Sequence, residues 1–261
     1  MIQLSQRLQA VADLAEDAGV VADVGTDHGY IPLFLIACGK AGRAIAMDIN
    51  EGPLQRAREH IRQYNLQERI ETRLSDGLSK LRPGEAQTIV IAGMGGALMK
   101  RILIEGEAIA HAAGCLVLQP QSELPMFRRF LVEHGYQILR EDMVYEDGKF
   151  YSMMAVKWKG SGIADSLQAE VAKSGVAFGL QTSLCKSGHE DDLQAMTEAD
   201  YRYGPLLRAQ KHPILHKYLL QQKEQKQKIL ESLGKNARQD VSERRAQIRE
   251  ELEEIEVLLN S

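Results

Sequence analysis

The segment at residues 20–32, VVADVGTDHGYIP, constrains the fold more than any other part of the chain. Its first five residues are apolar except for Asp23, which is typical of a strand buried on both faces. Two glycines flank the turn that follows, and the apolar run at residues 31–37 predicts a helix with Pro32 in its first turn. A strand, a glycine-bearing turn and a helix begin a βαβ unit, whose turn faces the crevice at the carboxyl end of the strand. The glycine spacing is not the dinucleotide fingerprint, so the turn alone leaves open a nucleotide site or an ordinary βα turn.

Acidic residues stand at the ends of the first three predicted strands. The second strand is predicted at residues 44–49 and the third at residues 70–74, and the acids concerned are Asp23, Asp27, Asp48 and Asp76. Asp48 comes 23 residues after Gly25, the position from which Rossmann-type sites bind ribose hydroxyls. The alternatives are that Asp48 caps the helix predicted at residues 53–64 and that Asp76 merely forms an Asp-Gly turn.

The next strands are predicted at residues 88–92 and 116–118, followed by Gly93-Met94-Gly95-Gly96 and Gln119-Pro120-Gln121. Three glycines in four residues allow close approach of the backbone to a flat ligand. A hairpin is predicted over residues 136–145 and 150–159, because the joining residues Glu-Asp-Gly-Lys favour a turn.

Helices are expected between these strands and before the first. The first is predicted at residues 4–18, with Ser5 as its N-cap and Gly19 as its stop, and Ser122 is predicted to cap a later one. Residues 1–160 therefore predict an α/β domain with a parallel sheet closed by an antiparallel hairpin. That is the layout of the class I S-adenosylmethionine (SAM) methyltransferases, whose cofactor acids also follow the first three strands.

Residues 161–261 are predicted to form a second, helical domain. The sequence indicates a helix at residues 163–172, a long helix after Pro205, a break at residues 234–240 and a final helix, the last two helices forming an antiparallel coiled-coil hairpin. Residues 202–245 contain 11 Lys or Arg against four acids. That excess suits a phosphate backbone, although a charged run is also typical of a solvated helix face.

Composition limits the class of protein. Hydrophobic residues make up 44% of the 261 residues, which indicates a globular chain, and no apolar run reaches the roughly 18 residues of a membrane span. The start of the sequence has no cationic lead into an apolar stretch, so we expect no secretory signal peptide. The three scattered cysteines predict neither disulfides nor a metal site. These features suit a reduced, cytoplasmic protein. The sequence leaves the oligomeric state open between a monomer and a weak dimer.

Five segments together resemble the bacterial TrmK family of SAM-dependent tRNA methyltransferases, which modify N1 of adenine 22. They are DVGTDHGYIP, MDINEGP, SDGL, IAGMGGALM and LQPQ, in that order. The resemblance covers nearly the whole chain, including the C-terminal hairpin. It implies SAM as the cofactor and tRNA as the partner.

The resemblance also implies roles for individual residues. Asp27 and His28 are the predicted catalytic residues, Asp48 would bind the ribose and Asp76 the adenine of the cofactor. The full predicted cofactor set is Asp23, Gly25, Thr26, Asp27, His28, Gly29, Asp48, Ile49, Asp76, Gly77, Ala92, Gly93, Met94 and Gly95. The predicted substrate set is Tyr30, Gly96, Gln119, Pro120, Gln121, Lys223, Lys226, Lys228 and Lys235.

The residues after the fourth strand bear on which atom is methylated. Adenine N1 has an in-plane lone pair and needs no prior deprotonation, whereas enzymes that methylate N6 typically carry Asn/Asp-Pro-Pro-aromatic here. This chain has Gly-Met-Gly-Gly instead, and no cysteine for a covalent adduct with cytosine. The alternatives are a SAM methyltransferase acting on another RNA position or a small molecule, and a non-catalytic protein that binds SAM or a partner.

Overall fold

The computed structural model describes residues 2–15, 18–160, 196–235 and 242–260. Its strands are β1 Ala18–Val24, β2 Ala41–Asp48, β3 Ile70–Leu74, β4 Thr88–Met94, β5 Cys115–Pro120, β6 Tyr136–Glu146 and β7 Lys149–Trp158. Its helices are α1 Gln6–Leu14, α2 Tyr30–Ala37, α3 Glu51–Gln63, α4 Gly96–Glu105, α5 Glu107–Ala112, α6 Leu124–Glu133, α7 Glu198–Tyr203, α8 Pro205–Ala209, α9 Pro213–Lys235 and α10 Ser242–Asn260. None of the described helices is long and apolar enough to cross a membrane.

The seven strands form one sheet in the order β3-β2-β1-β4-β5-β7-β6. Strands β1 to β5 are parallel, and β7 runs antiparallel to both β5 and β6. This confirms the predicted parallel sheet closed by a hairpin. Asp147 and Gly148 join β6 to β7 with φ of 50° and 77°, and positive φ at both positions suits a tight hairpin turn.

Alternate residues of the strands face two separate cores. On one face Val21, Ala44, Val90 and Val117 pack with α1, α2 and α3. On the other face their neighbours Ala22, Ile45, Ile91 and Leu118 pack with residues of α4, α5 and α6. Because both faces are covered, the central strands are nearly continuous apolar runs, which is why the sequence reveals them.

The C-terminal helices pack on the β6–β7 hairpin. Met143 of β6 is buried with Leu207, Leu215, Leu219 and Ile255. Ion pairs join Lys223 to Glu256 and Lys226 to Glu251, so α9 and α10 run antiparallel. The predicted coiled-coil character of this hairpin, and the division into domains at residues 160 and 161, remain predictions.

Two predicted helix ends are wrong. The first helix ends at Leu14, because Ala15 has an extended backbone with φ of −73° and ψ of 117°. Gly19 does not stop the helix, since it lies inside β1, which pairs with β2. Ser5 is its N-cap as predicted, since its side chain accepts a hydrogen bond from the Leu8 amide. Ser122 does not cap its own helix; the N-cap of α6 is Glu123.

Some predictions lie outside the described residues. They are the helix at residues 163–172, most of the linker around it, and most of the break at residues 234–240. The side chain of Lys235 is also outside the described part of the chain.

Candidate active site

Because β1 to β5 are parallel, the residues that follow them lie along one side of the sheet. We call this side the C-terminal edge; it comprises residues 25–29, 48–50, 75–77, 93–96 and 119–123. All the residues that the sequence predicts for catalysis and cofactor binding lie on it or within the strand ends just before it, whereas the predicted lysines lie on α9.

The turn after β1 is tied to β2 by its backbone. The amides of Gly25 and Thr26 both donate to the Met47 carbonyl oxygen at 2.8 Å. Gly25 has φ of +75°, and the terminal methyl group of Met94 occupies the space that a Cβ would need there. The backbone conformation therefore favours glycine, whereas the Met94 methyl group is the end of a flexible side chain that can move aside.

Asp27 and His28 lie within this turn. The Asp27 side chain is 75% exposed and lies 3.3 Å from His28 Nε2 and 3.5 Å from the Arg56 guanidinium. His28 has φ of 60°, which is unusual for a residue with a side chain. A carboxylate between two basic groups stays accessible to a ligand.

His60 of α3 holds this turn, and its role is not evident from the sequence. Its Nδ1 lies 2.9 Å from the His28 carbonyl oxygen, and because that oxygen only accepts, Nδ1 carries the proton. The rings of His28, Tyr30 and His60 stack on one another with centroids 5.3 to 5.4 Å apart. His60 is 32 residues from His28, so no local pattern reveals the contact.

Asp23 is buried beneath the turn. Burial, followed by the nearby carboxylates of Asp48 and Asp27, raises its pKa to about 6. The Thr26 side chain partly offsets this rise, yet the Thr26 hydroxyl is buried without reaching hydrogen-bond geometry with any described residue. The fold therefore holds one poorly solvated carboxyl group and one unsatisfied hydroxyl under the predicted cofactor turn.

Asp48 pairs with Leu74 at the ends of β2 and β3, and Asp76 follows Leu74 by two residues along the chain. One carboxylate oxygen of Asp48 accepts from the Asn50 amide at 2.7 Å. Asn50, not Asp48, is the N-cap of α3, so the helix-cap alternative is wrong. The Asp76 carboxylate is 58% exposed and 3.9 Å from Arg101.

Two neighbours of these acids were also predicted to bind the cofactor. Ile49 is 57% exposed, which leaves its side chain open to a ligand. Gly77 has φ of +52°, and a Cβ there would lie 3.2 Å from the Ile102 side chain. The turn conformation and the close Ile102 side chain of α4 thus both favour glycine at this position.

The turn after β4 is only partly open. Gly93 is exposed with φ of +81°, while Ala92, Met94 and Gly95 are half-buried. Gly96 is buried, and a Cβ on it would lie 2.7 Å from the Ser122 carbonyl oxygen. In this packing Gly96 accommodates the chain after β5, and its predicted contact with the substrate remains a prediction.

The start of α4 is capped from another element. The Ser122 hydroxyl accepts from the Gly96 amide at 3.3 Å, and a carboxylate oxygen of Glu123 accepts from the Ala97 amide at 3.0 Å. Glu123 has φ of 57°, the left-handed conformation. Free amides at a helix start need acceptors, and a negative charge is favourable there, so this glutamate has a clear structural role.

The three residues at and just after the end of β5 that were predicted to bind the substrate differ in their exposure. Gln119 is fully buried and Pro120 is buried, whereas Gln121 is exposed. Gln119 Oε1 accepts from the Gly93 amide and from Arg7 of α1, both at 3.1 Å. Gln119 is a brace behind the β4 turn, and among the three only Gln121 offers an exposed surface to a ligand.

Three of the four predicted RNA-binding lysines lie in ion pairs on the helical hairpin, and the fourth, Lys235, has no described side chain. Lys223 pairs with Glu256, Lys226 with Glu251 and Lys228 with Glu224. Much of the positive charge counted along the sequence is therefore matched by acids, two of them on α10. Surface pairs of this kind are weak and can exchange for another anion.

Comparisons with known proteins agree with this geometry. Residues 4–154 match the family model described as "Methyltransferase domain". The chain is 30% identical to the tRNA (adenine(22)-N(1))-methyltransferase of Bacillus subtilis (strain 168), over 98% of this chain and 96% of that protein.

Solved structures are similar over the same length. The B. subtilis M1A22 tRNA methyltransferase TrmK has a TM-score of 0.72 and 28% identity, with 99% of this chain and 100% of that one covered. Streptococcus pneumoniae Sp1610, a putative tRNA (m1A22) methyltransferase in complex with S-adenosyl-L-methionine, has a TM-score of 0.73 and 28% identity, covering 98% and 100%. With its seven-stranded sheet, its acidic strand ends and its full-length similarity, the chain belongs to the tRNA (adenine(22)-N(1))-methyltransferase family.

Proposed function

We propose that this protein transfers a methyl group from SAM to N1 of adenine 22 in tRNA. The observation that carries the proposal is the row of carboxylates from Asp27, Asp48 and Asp76 at the ends of three adjacent parallel strands. Beside them lies a β4 turn that exposes glycine. Full-length similarity to a named adenine-22 methyltransferase supports this substrate over a small molecule or a purely binding role.

The residues present fit SAM. The Asp48 carboxylate keeps acceptor capacity beyond its bond to Asn50, which suits the two ribose hydroxyls. The exposed Asp76 carboxylate suits an amino group of adenine. The buried Thr26 hydroxyl lacks a partner among the described residues, so a polar ligand group at the turn would satisfy it.

SAM supplies an electrophilic methyl group on a sulfonium sulfur. The lone pair of N1 forms the new C–N bond while the methyl–sulfur bond breaks and its electrons remain on sulfur, so no proton has to be removed first. The protein's task is then to align the two reactants. The exposed Asp27 carboxylate is our candidate for stabilising the positive charge that develops on the adenine ring.

Two parts of the chain, the C-terminal edge and α9, would bind the tRNA. The target nucleotide would contact exposed surface at the C-terminal edge, which is provided by Gly93, Gln121 and Tyr30. The lysines of α9, with Lys235 beyond the described side chains, would contact the phosphate backbone by exchanging their acidic partners for phosphates.

The test is methylation of a defined tRNA. Wild-type protein, labelled SAM and an unmodified tRNA transcript are incubated, and the product is digested and mapped by mass spectrometry. We expect 1-methyladenosine at position 22 and no label in a transcript with guanine at that position. Label on N6, at another position, or in neither transcript would contradict the proposal.

A further inference from the structure

Arg7 of α1 lies against the residues that follow β4 and β5. One guanidinium nitrogen, NH1, donates to Gln119 Oε1 at 3.1 Å, and it would lie 3.7 Å from a Cβ on Gly93. The guanidinium carbon is 5.5 Å from the centre of the Tyr151 ring, within the range of a cation–π contact. The N-terminal helix thus brings a half-buried cation to the part of the C-terminal edge formed by the residues after β4 and β5.

The charge of Arg7 has no counterion within the described structure. Other arginines near the edge face acids, as Arg56 faces Asp27 and Arg101 faces Asp76. The contacts seen for Arg7 among the described residues are a neutral amide and an aromatic ring. A guanidinium carries five N–H donors, so most of its hydrogen-bonding capacity is unused by those contacts.

Bracing Gln119 does not explain this charge. The Gln119 amide is also held by the Gly93 amide at 3.1 Å and by its own bond to the Pro120 carbonyl at 3.3 Å. A neutral hydrogen-bond donor in place of Arg7 would be enough to complete the hydrogen bonds of the Gln119 side chain. A half-buried charge without a counterion costs free energy, and an anionic ligand would offset that cost.

We propose that Arg7 binds a phosphodiester of the substrate RNA beside the target nucleotide, an inference that rests on the proposed function. Arginine suits phosphate because its planar fork makes two parallel hydrogen bonds. The ligand is a phosphate and not the reacting ring, because the ring becomes cationic on methylation and a second cation beside it would oppose the reaction.

The test compares three variants. Arg7→Gln removes the charge and keeps a donor, Arg7→Lys keeps the charge and loses the fork, and Arg43→Gln is the matched control. Arg43 is exposed near the start of β2, away from the C-terminal edge. Binding of tRNA is measured over a series of salt concentrations, with SAM affinity, KM for tRNA, kcat and thermal unfolding measured alongside.

We expect Arg7→Gln to weaken tRNA binding roughly tenfold, as for the loss of a hydrogen bond to a charged group. It should also make the logarithmic salt dependence shallower by about 0.7–0.9, the contribution of one phosphate contact. Arg7→Lys should keep the wild-type salt dependence with weaker binding. Arg43→Gln should match the wild type, and SAM affinity should be unchanged throughout.

A role in bracing alone would lower kcat in Arg7→Gln while tRNA affinity and its salt dependence stayed at wild-type values. That result would overturn the inference and leave the proposed function standing. Wild-type protein that neither binds nor methylates tRNA would overturn both. If Arg7→Gln unfolds at a lower temperature, the measurements are made below that transition, where the salt dependence still separates the two roles.

Discussion

At the scale of single residues, the acids of the C-terminal edge differ in their surroundings. Asp27 and Asp76 are exposed and face arginines, Asp48 is half-buried beside an amide, and Asp23 is buried. An exposed carboxylate is accessible to a ligand, whereas burial disfavours the ionised form of Asp23. These four acids occupy similar positions at or near strand ends, but their different surroundings suit them to different roles.

Asp48→Ala should weaken SAM binding by about 1.5–3 kcal/mol, the scale for a hydrogen bond to a charged group. The fold should persist, because within the described structure the Asp48 side chain accepts a single backbone hydrogen bond, from Asn50. Calorimetric titration with SAM measures the loss. The control is Asp13→Ala, whose exposed carboxylate pairs with Lys40; equal effects of the two changes would argue against a ribose role for Asp48.

Asp23 should make the protein less stable as the pH rises. Its carboxyl ionises near pH 3.8 in the unfolded chain and near pH 6 in the fold. Between these values the folded state binds more protons, so the free energy of unfolding falls with rising pH by about 3 kcal/mol. Asp23→Asn removes this loss.

Urea unfolding of wild type and Asp23→Asn at about pH 4 and about pH 7.5 checks this linkage. Relative to the wild type, the variant should gain stability between the two values. A difference between the proteins that is the same at both pH values would show that Asp23 ionises normally in the fold.

At the scale of elements, two lysines of α9 form ion pairs with acids of the neighbouring helix α10. Along the sequence, the basic segment of α9 is followed by the acidic segment of α10. In the folded hairpin the antiparallel arrangement brings Glu251 and Glu256 against Lys226 and Lys223. The net field of the hairpin is therefore weaker than the count of basic residues suggests.

Changing Lys223, Lys226 and Lys228 together to Gln tests whether this face meets RNA. If it does, tRNA affinity should fall, and the logarithmic salt dependence should become shallower by about 0.7–0.9 for each phosphate that the variant no longer binds. SAM affinity should not change. Binding measured over a salt series gives both quantities, and circular dichroism checks the helices.

The matched control changes Lys40, Lys157 and Lys159 to Gln. These three lysines lie near the side of the sheet opposite the C-terminal edge, since Lys40 precedes β2 and the other two are at the end of β7. Identical behaviour of the two triple variants would mean that the α9 lysines form a solvated face only.

At the scale of the whole molecule, a buried ion pair joins the C-terminal helices to the sheet. Arg128 of α6 lies 2.9 Å from Glu141 of β6, and their side chains are 1% and 0% exposed. Arg128 also donates to the Tyr201 carbonyl at 3.0 Å, and Glu141 accepts from the Leu206 amide at 3.0 Å. The pair thus ties α7 and α8 to the methyltransferase sheet, which would set the hairpin in one orientation for a large substrate.

Arg128→Met should destabilise the protein by about 3–5 kcal/mol, because it leaves the Glu141 charge buried without its partner. Hydrogen exchange should rise in α7 and α8 before it rises in the central strands. Arg129→Met is the control, since the neighbouring Arg129 pairs with Glu198 at the surface. Equal losses in urea unfolding, or unchanged exchange in α7 and α8, would contradict the structural role of Arg128.

Much of the architecture was predictable from the sequence because it follows from local pattern. Both faces of the central strands are covered, so the strands are apolar runs, and the turn at Asp147 and Gly148 has the residues that positive φ requires. The positions of Asp27, Asp48 and Asp76 were predictable for the same reason: parallel strands place their carboxyl ends on one side.

The tertiary structure alone decided which of the predicted site residues are exposed and which are buried. Arg7 meets Gln119 across 112 positions, and His60 meets His28 across 32. Gln119 becomes buried, and Glu123 caps a helix other than its own. Such contacts depend on how elements pack and on where side chains point, and periodicity within one segment contains neither kind of information.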